Sequence, residues 1–200
     1  MRTPYFAFAG VLAGALLAGG ARAQDASVEE SSSVNRLEDD IVEYRNDRVQ
    51  IIATHYYFQG PQDPRWLLID VGIKVTSGGS LTVARRDFSI VRPDGENLPL
   101  ASQREYRRSR AELLPMLLAL YDRRDAIGDY FSGGGCARYA INDFRFFVDS
   151  GIRHTVVDAF LGGCLRGDLF FASPTGTWSS GTYTLVIGGD ADARLPIEIH

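Results

Sequence analysis

The sequence is poor in the residues from which metal and redox sites are built. Among 200 residues there are two cysteines and three histidines, too few for a zinc-finger array or a cysteine-bound iron–sulfur cluster. The 21 basic residues stand against 25 acidic ones, for a net charge of −4. Without a basic excess the chain lacks the charge that neutralises a phosphate backbone, which argues against a nucleic-acid-binding protein. A content of 45% hydrophobic and 23% charged residues is typical of a globular domain.

Long apolar runs are also missing, except for one weak run at the N-terminus. Arg2 precedes an apolar stretch over 5–18, and Ala21-Arg22-Ala23 follows it. This order is typical of a secretory signal peptide, which we expect at residues 1–23, with an uncleaved anchor as the alternative. A spanning helix needs about 20 apolar residues, so we expect no transmembrane segment after cleavage. Lys74 is the only lysine, and this arginine bias is typical of GC-rich bacterial genomes. We therefore expect an exported protein, periplasmic or secreted, of a Gram-negative bacterium.

The two cysteines, Cys136 and Cys164, can pair in an exported protein. A disulfide between them would close a loop of about 28 residues and stabilise the fold by about 3–4 kcal/mol. Two free buried thiols are the alternative. A metal or catalytic role would need further ligands or a neighbouring base, and none lies at a suitable spacing.

Strand patterns occupy most of the chain after a polar segment at 24–46, which we expect to be a flexible N-terminal arm. Ordered structure is expected from near Arg48, in a single domain over 47–200. Apolar, β-branched and aromatic runs alternate with Gly/Pro turns, which indicates an antiparallel β-sandwich. The predicted strands lie at 49–58, 66–75, 81–83 with a continuation through 88–90, 140–148, 164–172, 182–187 and 195–199, with a weaker candidate at 154–161.

The hydrophobic period changes to a helical one in the middle of the chain. Ser109 and Glu112 have the spacing of a capping box, and leucines then follow at intervals of three and four up to Tyr121. Pro115 falls within the first turns, where proline is tolerated. We expect one inserted amphipathic helix at about 103–128.

Several short motifs occur in the order found in a known group of β-sandwich domains. They are Asp87-Phe88-Ser89-Ile90, Asp94-Gly95, Gly167-Asp168-Leu169-Phe170-Phe171 and Tyr183-Thr184-Leu185. On these motifs residues 48–199, without the helix, resemble exported bacterial immunoglobulin-like domains, the telokin-like group among them. The resemblance implies an immunoglobulin-like sandwich that acts as a binding, scaffold or protective module. It carries over no catalytic residue.

No catalytic, metal or cofactor site is predicted from the remaining polar residues. His55, His154 and His200 are far apart in sequence, and His154 and Asp158 lie about 13 Å apart if both are on one strand. There is no G-x-S-x-G elbow, and neither cysteine has a histidine near it in sequence. A hydrolase acting on an envelope component stays as an alternative, because catalytic residues can assemble from distant positions.

The most suggestive segment for function runs from 104 to 124. Its predicted interaction residues are Arg104, Tyr106, Arg107, Arg108, Arg110, Arg123 and Arg124. Arginines bind carboxylates or phosphates well, so a basic and apolar helix could dock on an envelope protein partner or on an anionic surface. The plainer interpretation is a helix that packs its leucines on the sandwich and leaves its charges in water. A third hypothesis is a carrier of a small apolar ligand.

The carrier hypothesis depends on four aromatic residues near the start of the domain. Tyr56, Tyr57 and Phe58 close one predicted strand, and Trp66 opens the next. Together they could line an apolar cavity, although aromatic residues in such strands are usually part of a sandwich core.

Overall fold

The computed structural model describes residues 32–55, 63–123, 127–131, 141–150 and 155–200, and of 119–123 and 141–142 the backbone alone. This part of the chain is mostly β, with antiparallel sheets and two helices. The predicted signal peptide at 1–23 lies outside the described residues. In the ranges described, neither helix combines the length and the hydropathy that crossing a bilayer requires.

A six-stranded sheet forms the larger layer, in the order β1-β2-β3-β4-β10-β8. Its neighbouring strands are antiparallel except for the short parallel pair of β8 and β10. The six strands are β1 (Ser33–Glu38), β2 (Ile41–Arg45), β3 (Val49–His55), β4 (Trp66–Val75), β8 (Ile141–Asp143) and β10 (Cys164–Ala172).

A four-stranded antiparallel sheet and a two-stranded ribbon complete the β structure. The four-stranded sheet has the order β12-β11-β6-β7, and the ribbon pairs β5 with β9. The strands are β5 (Ser80–Ala84), β6 (Phe88–Val91), β7 (Asn97–Pro99), β9 (Val156–Phe160), β11 (Gly181–Ile187) and β12 (Ala193–Ile199). The two helices, α1 (Gln103–Arg108) and α2 (Arg110–Arg123), follow β7, and 3₁₀ turns lie at Arg85–Asp87 and Gly128–Tyr130.

The two sheets share one hydrophobic core, which is consistent with a β-sandwich. Alternate residues of the six-stranded sheet, such as Ile51, Ile73 and Leu165, are buried in the same cluster as Leu185 and Ile197 of the other sheet. Because side chains alternate across a strand, this core fixes the register, and a slip by one residue would turn every core side chain outward.

The other face of the six-stranded sheet is also buried along β3 and β4, although much of it is polar. Ile52 and Cys164 lie on this face, and Ile127 and Phe131 cover them in a second apolar cluster. Phe131 lies so close to β4 that a Cβ atom at Gly72 would be 2.6 Å from its Cζ atom. Residues 127–131 therefore lie over the sheet where β4 carries no side chain.

The long strands have the bounds that the sequence predicts, whereas two other predicted strands are wrong in part. β4 and β10 have the predicted bounds, and β11 and β12 each begin one or two residues early. The single pattern over 81–90 is two strands in different sheets, because the 3₁₀ turn at Arg85–Asp87 redirects the chain. The predicted strand at 140–148 is reduced to β8, and after it the adjacent side chains of Phe146 and Phe147 are both buried, which the alternation of a strand would not allow on one apolar face.

The prediction of a flexible arm at 24–46 is wrong for residues 33–45, because these residues form the hairpin of β1 and β2. Ile41, Val42 and Tyr44 are buried and attach this hairpin to β3. The polar residues around them gave the segment a low average hydrophobicity and hid this short apolar run. Residues 24–31 lie outside the described residues.

Candidate interaction surface

Two helices form the insertion, where the sequence pattern predicts one. The capping box lies at Ser102 and Glu105 rather than at Ser109 and Glu112: the Ser102 hydroxyl accepts a hydrogen bond from the Glu105 amide, and the Ser102 amide donates to the Glu105 carboxylate at 2.7 Å. Ser109 ends α1 by donating its amide to the Glu105 carbonyl, and its own carbonyl accepts from the first turn of α2. We call residues 102–123 the helical insertion.

The helical insertion is attached to the irregular segment 144–150 by polar contacts. The Gln103 amide group bonds both the carbonyl and the amide of Val148, at 2.7 and 3.2 Å. The Arg85 guanidinium donates to the carbonyls of Phe146 and Ala101 and lies 4.4 Å from the centre of the Phe147 ring. These contacts fix the distance between α1 and the segment, so the space between them has a defined shape.

A second set of contacts fixes the start of α2. Arg65, in the turn before β4, bonds Asp63 and also reaches the carboxylate of Glu112 at 2.6 Å. The hydrogen bonds that Arg65 donates to Asp63 and then to Glu112 raise the pKa of Arg65, so it stays charged. This contact lies at the surface and orients α2 more than it stabilises it.

Segment 144–150 approaches the six-stranded sheet at a glycine. A Cβ atom at Gly167 would lie 2.3 Å from the ring of Phe144, so only glycine permits this approach. The Phe144 amide donates to the Arg166 carbonyl at 2.7 Å. The segment is therefore held on one side by β10 and on the other side by α1.

A groove of about 480 Å³ lies between α2 and segment 144–150. Its walls include Leu114, Leu117, Leu118 and Phe147, and Asp168 contributes a carboxylate from β10. At the rim the Arg110 guanidinium meets the Asp149 carboxylate at 2.6 Å. The groove is therefore lined by both apolar and charged side chains, with an ion pair at its rim.

The charges at this rim are stable over a wide pH range. The hydrogen bond from Arg110 lowers the pKa of Asp149 against a smaller effect of burial, and the positive charge of Arg107 acts in the same direction. The same bond raises the pKa of Arg110. Burial, followed by the charge of Asp149, raises the pKa of Tyr106, whose phenol stays protonated. At neutral pH the groove therefore presents the Arg110–Asp149 ion pair and the protonated phenol of Tyr106.

The leucines of α2 divide into two sets on different sides of the helix. Leu113 and Met116 are buried in the main core. Leu114 and Leu118, four residues apart and therefore on one side of the helix, are 43% and 60% exposed. The second set forms part of the groove wall and remains largely exposed to solvent.

Three of the predicted arginines form an exposed basic group on α1. Arg104, Arg107 and Arg108 line one shallow depression with Gln103. None of the three has a carboxylate within ion-pair distance among the described residues, although the Arg107 guanidinium donates to the Val148 carbonyl at 3.4 Å. Arg108 is close enough to Glu105 to lower the pKa of that carboxyl, after the larger effect of its hydrogen bonds to Ser102.

The other predicted interaction residues have different surroundings. The ring of Tyr106 is buried against Phe147 and Phe170, with ring centroids 5.2 and 5.1 Å away, and it also borders the groove. The Arg110 guanidinium forms an ion pair with Asp149. The side chain of Arg123 and all of Arg124 lie outside the described residues. The structure thus brings together Arg104, Arg107 and Arg108, with Arg110 at the rim of the groove.

The sequence pattern did not identify the groove residues Asp149, Leu114 and Leu118 as a separate set. The seven large apolar residues of α2 fit one helical stripe in the sequence, so nothing indicated which of them face outward. The only sequence signal for the outward pair was the spacing of four between Leu114 and Leu118, which places them on one side of the helix. Leu113 and Met116 lie on another side.

Cys164 is buried in β10, and Cys136 lies outside the described residues, so their pairing stays a prediction. Trp66 is buried in the core rather than lining a cavity, while Tyr56, Tyr57 and Phe58 are not described. Within the ranges that the structure covers, no three His, Cys, Asp or Glu side chains converge to hold a metal ion.

Comparisons of this chain with protein-family models, curated proteins and solved structures found no match.

Proposed function

We propose that this chain is an exported, non-catalytic binding module of a bacterial cell envelope, built as an immunoglobulin-like, telokin-like sandwich. Its contact surface comprises the groove, the exposed leucines of α2 and the basic group of α1. The observation that carries the proposal is the second apolar side of α2, where Leu114 and Leu118 are exposed beside a formed cleft. An exposed apolar patch with a polar rim is typical of a site that another molecule covers.

The chemistry of this surface favours a protein partner with both apolar and acidic residues. Leu118 and the groove can accept an apolar side chain, and Arg104, Arg107 and Arg108 can pair with carboxylates. A flat anionic surface would meet the arginines but would leave the concave groove unfilled. For this reason we favour a protein partner over an anionic surface.

Charge reversal on α1 tests the proposal. In the exporting cell, a photo-crosslinking side chain placed at Leu118 should give one discrete adduct. We expect Arg107→Glu with Arg108→Glu to remove that adduct, because the partner's carboxylates would then face negative charge. The matched control is Arg86→Glu with Arg194→Glu, which makes the same change of net charge at two exposed arginines outside the insertion.

Three results would contradict the proposal: no discrete adduct, an adduct that survives the α1 reversal, or equal loss in the control. An adduct with lipid rather than protein would favour the anionic surface. A small molecule that remains bound in native mass spectrometry would favour the carrier, and turnover of an envelope component would favour the hydrolase.

A further inference from the structure

The β5–β9 ribbon has two outer edges that differ in how their backbone groups are satisfied. At the two ends of the ribbon the Arg85 amide donates to the Thr155 carbonyl and the Leu161 amide donates to the Gly79 carbonyl. These two bonds show that the odd-numbered residues form the hydrogen-bonded pairs of the ladder. Because bonded pairs alternate in an antiparallel ladder, the even-numbered residues of β5 and β9 direct their amides away from the ribbon. Each edge therefore offers three outward amides.

Each outward amide of β5 is already bonded. The Thr82 amide donates to the Asp190 carboxylate at 3.3 Å, and the Ala84 amide donates to Asp87 at 2.6 Å. The Ser80 amide donates to the carbonyl of Gly78 at 3.1 Å. Carboxylates placed on an edge in this way prevent another strand from pairing there.

The edge of β9 has no such protection within the described part of the chain. The outward residues are Val156, Asp158 and Phe160, and no described group accepts from their amides. The Phe160 carbonyl is used by the turn, where it accepts from the Gly163 amide at 2.6 Å. Val156 is 50% exposed and Phe160 70% exposed, so the same edge presents two apolar side chains to solvent.

We infer that the edge of β9 is a second binding site, which accepts an extended peptide segment of a partner protein as an added antiparallel strand. Main-chain hydrogen bonds to Val156, Asp158 and Phe160 would provide affinity, and the alternate side chains would provide selectivity. This site is separate from the groove beside α2, and its test does not depend on the function proposed for that groove.

The side chains of β9 define the segment that fits. Asp158 lies between Val156 and Phe160 on the same face, and its carboxylate accepts from the Thr82 hydroxyl at 2.7 Å. A complementary strand therefore has a basic residue opposite Asp158 and apolar residues two positions to either side. A second copy of this chain fits poorly, because pairing centred on Asp158 would place two like charges directly opposite each other.

Hydrogen exchange measured by NMR on the full chain tests this site. The probe is a capped peptide, Thr-Val-Thr-Lys-Thr-Val-Thr, which places lysine opposite Asp158, and its comparison peptide has glutamate instead of lysine. At saturating peptide the amides of Val156, Asp158 and Phe160 should exchange about tenfold more slowly than in the free protein. The amides of Val157 and Ala159 serve as the internal reference, because the ribbon already protects them in the free protein. The lysine peptide should bind about two- to fivefold more tightly than the glutamate peptide, and Asp158→Lys should reverse that order.

A backbone variant separates strand addition from side-chain contact. Val156→Pro removes one outward donor without removing a bond of the ribbon, because proline is tolerated where its nitrogen faces away from the ladder. It should weaken peptide binding more than the matched control Val156→Thr, which changes the side chain but keeps the outward amide. Protection of the Val157 and Ala159 amides shows that both variants keep the ribbon.

Four results would overturn the inference. They are protection of the three outward amides in the free protein, no protection at millimolar lysine peptide, equal binding of Val156→Pro and Val156→Thr, and protection that appears only as the protein self-associates. The last result would assign the edge to a second copy of the chain.

Discussion

The two faces of the six-stranded sheet are both buried along β3 and β4 but are built from different chemistry. The face toward the second sheet is apolar, with Ile51, Ile73 and Leu165 fully buried. The opposite face contains Asp70, which is 1% exposed and bonds Arg166 at 2.6 Å. Apolar contacts on the first face are non-directional, whereas a buried charge on the second face requires a specific partner at a specific distance.

This difference shows what the helical insertion and the segment after it do for the fold. Polar residues on the outer face of an antiparallel sheet normally lie in water. Here residues 127–131 cover part of that face, so the polar groups beneath them must be satisfied internally. Gln50 illustrates this, since its side-chain amide donates to Glu43 at 2.7 Å and to the carbonyl of Tyr130 at 3.2 Å.

The largest expected effect is on the outer face, at the Asp70–Arg166 ion pair. Arg166→Met should lower the free energy of unfolding by about 3–5 kcal/mol, because it removes one partner of a buried ion pair. Asp70→Leu combined with Arg166→Met should recover at least half of that loss. Urea denaturation of the three proteins measures this, and equal losses in the single and double variants would contradict the buried-pair account.

On the inner face, Ile73→Ala should cost about 2–5 kcal/mol, because it removes apolar contacts and leaves a cavity. Ile73→Val should cost only about 0.5–1.5 kcal/mol, in proportion to the smaller volume removed. The same urea experiment applies. If Ile73→Val cost as much as Ile73→Ala, the inner face would depend on a specific contact and the comparison of the two faces would fail.

Gly72→Ala tests how closely the covering segment approaches the outer face. The new methyl group would lie 2.6 Å from the Phe131 ring, so that ring must move. We expect a loss of about 1–3 kcal/mol, because extra volume strains a closely packed site. Gly72→Ala combined with Phe131→Leu should be more stable than Gly72→Ala alone. Thermal unfolding would show the reverse order if Phe131 did not lie on Gly72.

The smallest of these effects concerns Glu43 and is best measured as a function of pH. Burial raises the pKa of Glu43, but hydrogen bonds from Asn35 and Gln50 and the charge of Arg45 outweigh it and hold the pKa below its ordinary value of 4.5. The lowered pKa adds stability above pH 4.5, which is lost as the pH falls through the folded-state pKa. Glu43→Gln should remove that part of the pH dependence and cost on the order of 1 kcal/mol at neutral pH. An unchanged acid profile would contradict this role.

The sequence predicted the strands that local chemistry determines. β4 and β10 are long apolar runs between turn residues, so their bounds could be read directly. The break between α1 and α2 could not, because it depends on Ser109 ending one helix at a position where the sequence also permits a helix start. The strand order and the covering of the outer face depend on contacts between residues distant in sequence, which no local pattern contains.

The candidate surface was predicted in part. The arginines at 104, 107 and 108 were identified because charge is visible in a sequence. Their separation from Arg110 was not predictable, because it depends on Asp149, almost forty residues later in the chain. The outward position of Leu118 follows from how α2 packs on the sheet, so a helical period alone could not distinguish it from Leu113.

The outward side of α2 is the feature on which the proposed function depends most directly. Leu118→Ser should change the free energy of unfolding by no more than about 0.5 kcal/mol, because the side chain is 60% exposed. Leu113→Ala should cost about 2–5 kcal/mol. The decisive measurement is the stability of Leu118→Ser together with its capture of a partner through a photo-crosslinker at Leu114. Parental stability with loss of the adduct is the predicted result, and a large loss of stability or an unchanged adduct would contradict it.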